Sequence, residues 1–140
     1  MIPSFLSRLS DNHPCELEDD YYCEEKPKET LLKELMMLLM SRTRTPDIET
    51  IDYVNASILN YGIDESFSRV REVNTRKSTI EKRLMSAITR FEPRLTNISV
   101  ASHTGTNQNI IFTLQGYYAQ SPVHFELEWD DCNGRFYLHE

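Results

Sequence analysis

The most constraining feature of the sequence is a change in hydrophobic spacing at Pro93. Residues 78–92 carry apolar side chains at helical intervals, whereas the segment "PVHFELEWD", residues 122–130, alternates apolar and polar side chains. The first spacing predicts an amphipathic helix, and the second predicts a strand with one buried face. Because a residue that precedes proline is disfavoured in the helical region, the helix should end at about Glu92. The chain should therefore have an α+β fold, with helices followed by an antiparallel sheet.

Four segments after Pro93 have the pattern of β-strands. They are residues 95–102, 109–118, 122–130 and 135–140. Asn133 and Gly134 both tolerate positive φ and form a common hairpin turn, which should return the last segment alongside the third. The third strand should bury one set of alternate side chains: Val123, Phe125, Leu127 and Trp129. We expect a small antiparallel sheet of three to four strands, with the N-terminal helices covering one face.

Three segments before Pro93 have helical spacing. They are residues 29–43, residues 48–62, and a helix that begins at Ser78. The first should be buried on more than one side, with its methionines filling the core. The second should end at Gly62, which supplies a left-handed residue. In the third, Ser78 and Glu81 form a capping box, and residues 65–77 before it should be a loop. Its buried stripe should consist of Ile80, Leu84, Ala87, Ile88 and Phe91.

Length and charge restrict the class of protein. A chain of 140 residues with 39% hydrophobic content suffices for one compact core, and we expect a single domain over residues 28–140. Residues 1–27 include an acidic run and should form a partly flexible N-terminal arm. A net charge of −7 argues against nucleic-acid binding, which needs clustered basic residues. The sequence shows no export signal and no run of about 18 apolar residues, so we expect no membrane insertion. Three cysteines, an odd and sparse set, favour the cytoplasm.

The charged corner at Glu92, Pro93 and Arg94 is the strongest candidate interaction site. Residues two apart in an extended segment project to the same side, so Glu92 and Arg94 should lie together. They would form either a functionally silent surface ion pair or a docking site for another protein. Arg83 and Arg90 belong to a seven-residue repeat with Arg76 and should share one side of the third helix. That side would be a solvated surface or a second docking site.

Neither catalysis nor metal binding has a supporting motif. Glycoside hydrolysis needs two facing carboxylates, and no second acid is paired with Glu92 by any motif. His13, Cys15 and Cys23 do not have the spacing of a compact zinc site. Phosphate-binding glycine loops and nucleophile elbows are also missing from the sequence. We therefore expect a non-enzymatic protein without cofactor or metal.

Several short motifs resemble one known family. "PSFLSRLSD", "ETLLKELMMLLMSRTR", "SILNYGI" and "RFEPRLTNISV" occur in that order at residues 3–11, 29–44, 57–63 and 90–100. Together they resemble the TssE proteins of bacterial type VI secretion, members of the phage baseplate wedge family that includes the gene-25-like proteins. Asp64 stands where TssE proteins often have proline.

The resemblance implies a structural baseplate component that helps nucleate a contractile sheath. Its implied partners are the wedge subunits TssF, TssG and TssK and the sheath subunits TssB and TssC. Its implied location is cytoplasmic, at a baseplate docked to the inner membrane. The family's Glu-Pro-Arg motif corresponds to Glu92, Pro93 and Arg94, where it implies contacts with neighbouring subunits. Strand exchange at the edge of the sheet would template the first sheath subunits.

A second resemblance leaves another function open. "HFELEWDDCNGRF", residues 124–136, is similar to the C-terminal hairpin of a small anti-adaptor protein of the same fold. Such a protein binds a response regulator and blocks proteolysis of a sigma factor. "SILNYGI" and the basic stretch from Arg69 to Arg94 favour the baseplate interpretation.

Overall fold

The computed structural model describes residue 9 and residues 27–43, 50–55, 57–64, 71–107 and 109–139. Two α-helices and four strands make up most of this part of the chain. Helix α1 spans Pro27–Met40 and helix α2 spans Val73–Phe91, with two short 3₁₀ helices between them, Asp52–Val54 and Ile58–Asn60. The strands are β1 (Leu95–Thr104), β2 (Ile110–Tyr118), β3 (Ser121–Asp130) and β4 (Arg135–His139). The predicted α+β fold is confirmed.

The sheet is an antiparallel meander in which strand order follows chain order, β1-β2-β3-β4. Alternation places one set of side chains toward the helices, and Phe125, Leu127 and Trp129 are buried as predicted while Val123 is partly buried. Strand β1 is irregular between Thr96 and Ser99, where Asn97 has a φ of 50°. This bulge bends the outer strand.

Both helices pack on the same face of the sheet. Helix α2 lies against β1, and helix α1 lies against α2 and β4. The five predicted core residues of α2 are all buried, which confirms its apolar stripe. The core also contains four leucines of α1: Leu31, Leu35, Leu38 and Leu39. Hydrophobic burial between two layers therefore organises the fold.

Helix α2 begins five residues earlier than predicted. Its N-cap is Glu72, whose carboxylate accepts a hydrogen bond from Thr75 Oγ1 at 2.8 Å. In the first turns, Arg76 Nη1 donates to both carboxylate oxygens of Asp131 at 2.8 Å. This contact holds the start of α2 against the turn between β3 and β4. The capping signal at Ser78 therefore lies inside a longer helix, and residues 73–77 are not a loop.

The prediction of an α-helix over residues 48–62 is wrong for the described part of that segment. Two 3₁₀ turns replace it, and Ile51, Ile58 and Leu59 are more than half exposed. The side chain of Ser57 donates to the carbonyl of Val54 at 2.7 Å and accepts from the amide of Leu59 at 3.3 Å. Such local side-chain bonds compete with α-helical bonding and favour short turns.

The methionines of α1 do not fill the core as predicted. Met37 and Met40 are more than half exposed, and Met36 is only partly buried. Leucines on the opposite side of the helix supply the packing. Helix α1 therefore has one buried face, and the expectation of burial on more than one side is wrong.

The last hairpin joins β3 and β4 between the predicted strand ends. Asp130 pairs with Arg135, so the last hairpin has a four-residue turn, and only Gly134 of the Asn133-Gly134 pair has positive φ. The Asp130 carboxylate accepts from the amides of Cys132 and Asn133 at 2.9 and 3.2 Å. A side-chain cap therefore stabilises this four-residue turn.

Candidate interaction site

The corner between α2 and β1 is formed as the sequence indicates. Helix α2 ends at Phe91, and the amide of Glu92 donates to the carbonyl of Ile88 at 2.8 Å. Glu92 itself has left the helical region, with φ of −124° and ψ of 70°. The departure from the helical region is what a following proline favours, because its ring crowds the helical conformation of the residue before it. Pro93 then turns the chain into β1, and the amide of Leu95 donates to the carbonyl of Glu92 at 3.2 Å.

Glu92 and Arg94 are paired as predicted, but they are buried. Arg94 Nε and Nη2 donate to the two carboxylate oxygens of Glu92 at 2.6 and 2.9 Å. Glu92 is 3% exposed and Arg94 is 8% exposed. The expected surface ion pair is therefore wrong, because helix α1 lies over the corner and contributes a second acid. Arg94 Nη2 also forms an ion pair with Glu34 of α1.

Two carboxylates around one guanidinium determine its charge state. Burial alone lowers the pKa of Arg94, but the hydrogen bond and charge of Glu92, together with the charge of Glu34, raise it above its ordinary value. Arg94 therefore remains a cation in the protein interior. A bidentate pair of this kind also restricts the orientation of both side chains.

Tyr61 connects this corner to the segment that carries the "LNYG" motif. Its ring lies edge-on to that of Phe91, with centroids 5.2 Å apart. Burial, with the negative charges of Glu34 and Glu92, raises the pKa of the Tyr61 hydroxyl to about 12. The two motifs, distant in sequence, therefore meet at one place in the fold.

Gly62 allows this segment to lie close to the backbone that follows α1. The amide of Ile63 donates to the carbonyl of Ser41 at 2.9 Å, and Gly62 has a φ of 114°. A Cβ atom on Gly62 would lie 2.6 Å from the carbonyl oxygen of Ser41. The prediction of a positive-φ glycine at this position is confirmed, although a 3₁₀ helix precedes it.

The predicted arginine stripe of α2 does not form a simple solvated surface. Arg83 Nη1 lies 3.6 Å from Asp64, and Arg76 binds Asp131. The side chains of Arg76 and Arg83 are 16% and 23% exposed, and Arg90 is partly buried. Pro93 is also partly exposed. The structure thus places Pro93, Arg83 and Arg90 nearer the surface than Glu92 and Arg94.

Three acidic partners were not found from the sequence. Glu34, Asp64 and Asp131 each approach an arginine that lies far away along the chain or on another element. Asp64 was noted only as a departure from a proline. The two residues of each pair have no regular spacing in the sequence, so the sequence alone does not predict that they meet.

Comparison with protein families identifies the architecture around this corner. The family model of baseplate wedge protein gp25 matches residues 26–122, which is more than half of the chain. The chain belongs to the baseplate wedge protein gp25 family. No curated protein and no solved structure matches it. The family match spans α1, both motifs, β1 and β2, and it supports a structural role in a baseplate-type assembly.

Other features of this gp25-family chain concern metals and membranes. Within the described residues, no group of three or more His, Cys, Asp or Glu side chains could hold a metal ion. His13, Cys15 and Cys23 lie outside the described residues. None of the described helices is both long and apolar enough to span a membrane.

Proposed function

We propose that this gp25-family protein is a TssE-type component of a type VI secretion baseplate that helps nucleate the contractile sheath. The observation that carries the proposal is the family match over residues 26–122. TssF, TssG and TssK would be its wedge partners, and TssB and TssC would be the sheath subunits. It would act in the cytoplasm, where the baseplate docks on the inner membrane.

The free edge of β1 supports a role in strand pairing. Strand β1 is an outer strand of the sheet, and no described strand pairs with its outer side. Residues 99–104 pair regularly with β2 and contain no proline, lysine, arginine or acid. Natural edge strands usually carry such residues to prevent pairing with other chains. An unprotected edge of this length suits the addition of a strand from a sheath subunit.

The Glu-Pro-Arg corner would act mainly by holding the surface around it. Because Arg94 binds both Glu92 and Glu34, we propose that this cluster fixes α1 and β1 in the orientation that partners contact. Pro93, Arg83 and Arg90 would lie at the contact itself. In this proposal only three of the five predicted interaction residues contact a partner, and Glu92 and Arg94 act by positioning the surface.

Two proline substitutions test the strand-pairing role. Amides along an antiparallel edge strand alternate between the neighbouring strand and the solvent. Of Ala101→Pro and Ser102→Pro, one should therefore break a bond to β2 and lower the melting temperature, while the other removes only an outward donor. The variant that keeps its melting temperature is the test variant, and wild type is its control.

The measurement is co-purification of the tagged protein from its native host, followed by mass spectrometry. We expect wild type to recover wedge and sheath subunits, and the test variant to lose sheath subunits while keeping wedge subunits. Equal recovery of sheath subunits by both would reject pairing at β1. Recovery of a response regulator without baseplate proteins would instead support the anti-adaptor alternative.

A further inference from the structure

The sheet has a second face that the helices do not cover. Both helices pack on the side that contains Phe112 and Leu127, so the alternate residues of each strand face away from them. No described helix lies over this outward face. It carries two large aromatic side chains, Tyr117 and Tyr137, which are 45% and 42% exposed. Exposed tyrosines on one surface are typical anchors of protein interfaces.

One end of the outward face is concave. A groove of about 550 Å³ lies over β1, β2 and β3, next to the bulge at Asn97. Tyr117, Pro122 and His124 line it together with the polar side chains of Ser99 and Gln115. The groove thus combines an aromatic ring with hydrogen-bonding groups, as peptide-binding surfaces do.

The charge of this face is acidic at its centre. Glu126 and Glu128 project from β3, and Glu128 accepts from Asn109 Nδ2 at 2.6 Å and lies 3.3 Å from His139 Nε2. The carboxylate of Glu126 has no hydrogen bond or ion pair with another described residue. The only described lysine or arginine on this face is Arg135, at its end, in register with Asp130. The exposed basic residues Arg71 and Lys82 lie at or on α2, on the other side of the sheet.

We propose that the outward face binds an arginine-bearing loop or strand of another protein. A guanidinium can form a bidentate ion pair with Glu126 and stack on the ring of Tyr137, which lies diagonally across from Glu126 on β4. Acidic partners would be repelled by Glu126 and Glu128. The inference rests on the proposed function for its expectation of a protein partner, and it adds the surface and the chemistry of that partner.

Nuclear magnetic resonance with blocked peptides tests the proposal. The ¹⁵N-labelled full chain is titrated with acetylated, amidated Gly-Arg-Ser-Arg-Gly and, separately, with Gly-Glu-Ser-Glu-Gly. We expect the arginine peptide to shift amides of β2, β3 and β4 around Tyr117, Glu126 and Tyr137, and the glutamate peptide to leave them unchanged. Shifts confined to the acidic run at residues 16–25, or no shifts at millimolar peptide, would overturn the proposal.

Matched variants identify the charge that matters. Glu126→Gln should weaken the arginine peptide about two- to fivefold, the range of an exposed ion pair. Glu81→Gln on α2 removes the same charge from the other side of the molecule and should leave affinity unchanged. Equal affinities of both variants and wild type would reject the role of Glu126.

Co-purification separates this inference from the proposed function. If wild type recovers baseplate subunits but the arginine peptide does not bind the outward face, the inference fails and the proposed function stands. If the peptide binds as expected and no baseplate subunit is recovered, the proposed function fails while the arginine-binding face stands. A photo-crosslinker at Tyr137 should attach to a partner peptide that contains arginine, and crosslinks only to peptides without arginine would contradict the proposal.

Discussion

Arg94 shows how one side chain joins parts of the chain that are far apart in sequence. It binds Glu92 two residues away and Glu34 on α1, all within a largely buried space. Buried charges of this kind contribute little net stability as a set, but the loss of one partner leaves another uncompensated. The stability of the corner should therefore be sensitive to single substitutions. The sequence-based prediction of a surface ion pair did not indicate this sensitivity.

We expect Glu92→Ala to lower the free energy of unfolding by about 3 to 5 kcal/mol, because it leaves Arg94 with only the more exposed Glu34. Urea denaturation measures this loss. Glu34→Ala, which removes the more exposed acid, should cost less and serves as the control. A loss below about 1 kcal/mol for Glu92→Ala would mean that the pair behaves as a surface ion pair.

Tyr61 should make stability depend on pH in the alkaline range. Its pKa is about 12 in the folded protein and about 10 in the unfolded chain, so folding favours the protonated hydroxyl. The resulting stabilisation is fully present below pH 10 and is lost as pH rises toward 12. We expect Tyr61→Phe to flatten the fall in melting temperature over this window. Parallel curves for wild type and variant would contradict the assignment.

At the scale of elements, the β2–β3 turn uses residues that are poorly suited to it. Ala119 and Gln120 have φ values of 47° and 67°, and Tyr118 pairs with Ser121 across the turn. A two-residue hairpin turn with two positive φ values favours asparagine followed by glycine. The strands on either side, rather than the turn residues, must hold this conformation.

Replacing Ala119 with Asn and Gln120 with Gly should raise the free energy of unfolding by about 1 kcal/mol, since both residues tolerate positive φ. The denaturation midpoint measures the gain. Ala119→Val tests the same backbone in the opposite direction, because a β-branched residue is strained there. Stabilisation by valine would show that the turn differs from the one described.

Elements with strong period-two or helical spacing were predictable, and the contacts between them were not. Trp129 and Leu84 were placed in the core because their neighbours repeat at the right intervals. The capping signal at Ser78 predicted the wrong start for α2. A local signal contains no information about the contact between Arg76 and Asp131, which lies before Ser78 in the helix. Asp64 gave no local signal of its pairing with Arg83. Side-chain pairing across elements leaves no regular spacing in the sequence.

At the scale of the whole molecule, the core joins both helices and all four strands in one cluster. Such a cluster should unfold cooperatively. The division into an N-terminal arm at residues 1–27 and a domain at residues 28–140 stays a prediction. The family match, which begins at residue 26, supports testing a boundary there.

We expect deletion of residues 1–25 to leave a single unfolding transition, because the predicted arm should contribute little to the core. The melting temperature should stay within about 3 °C of wild type, a shift worth less than about 1 kcal/mol. Differential scanning calorimetry measures both quantities. A larger decrease would show that the first 25 residues contribute to the core, and the arm would then have to be redefined as part of the domain.

The contact between α1 and β4 has a consequence for synthesis of the chain. Strands β2, β3 and β4 each pair with the strand made just before, but α1, made early, packs against β4. Arg42, two residues after α1, also donates to the carbonyl of Gly134 beside β4. The leucines of α1 therefore cannot complete their packing until β4 has been synthesised. We infer that nascent chains lacking β4 leave these leucines exposed and are the forms that chaperones must protect from aggregation.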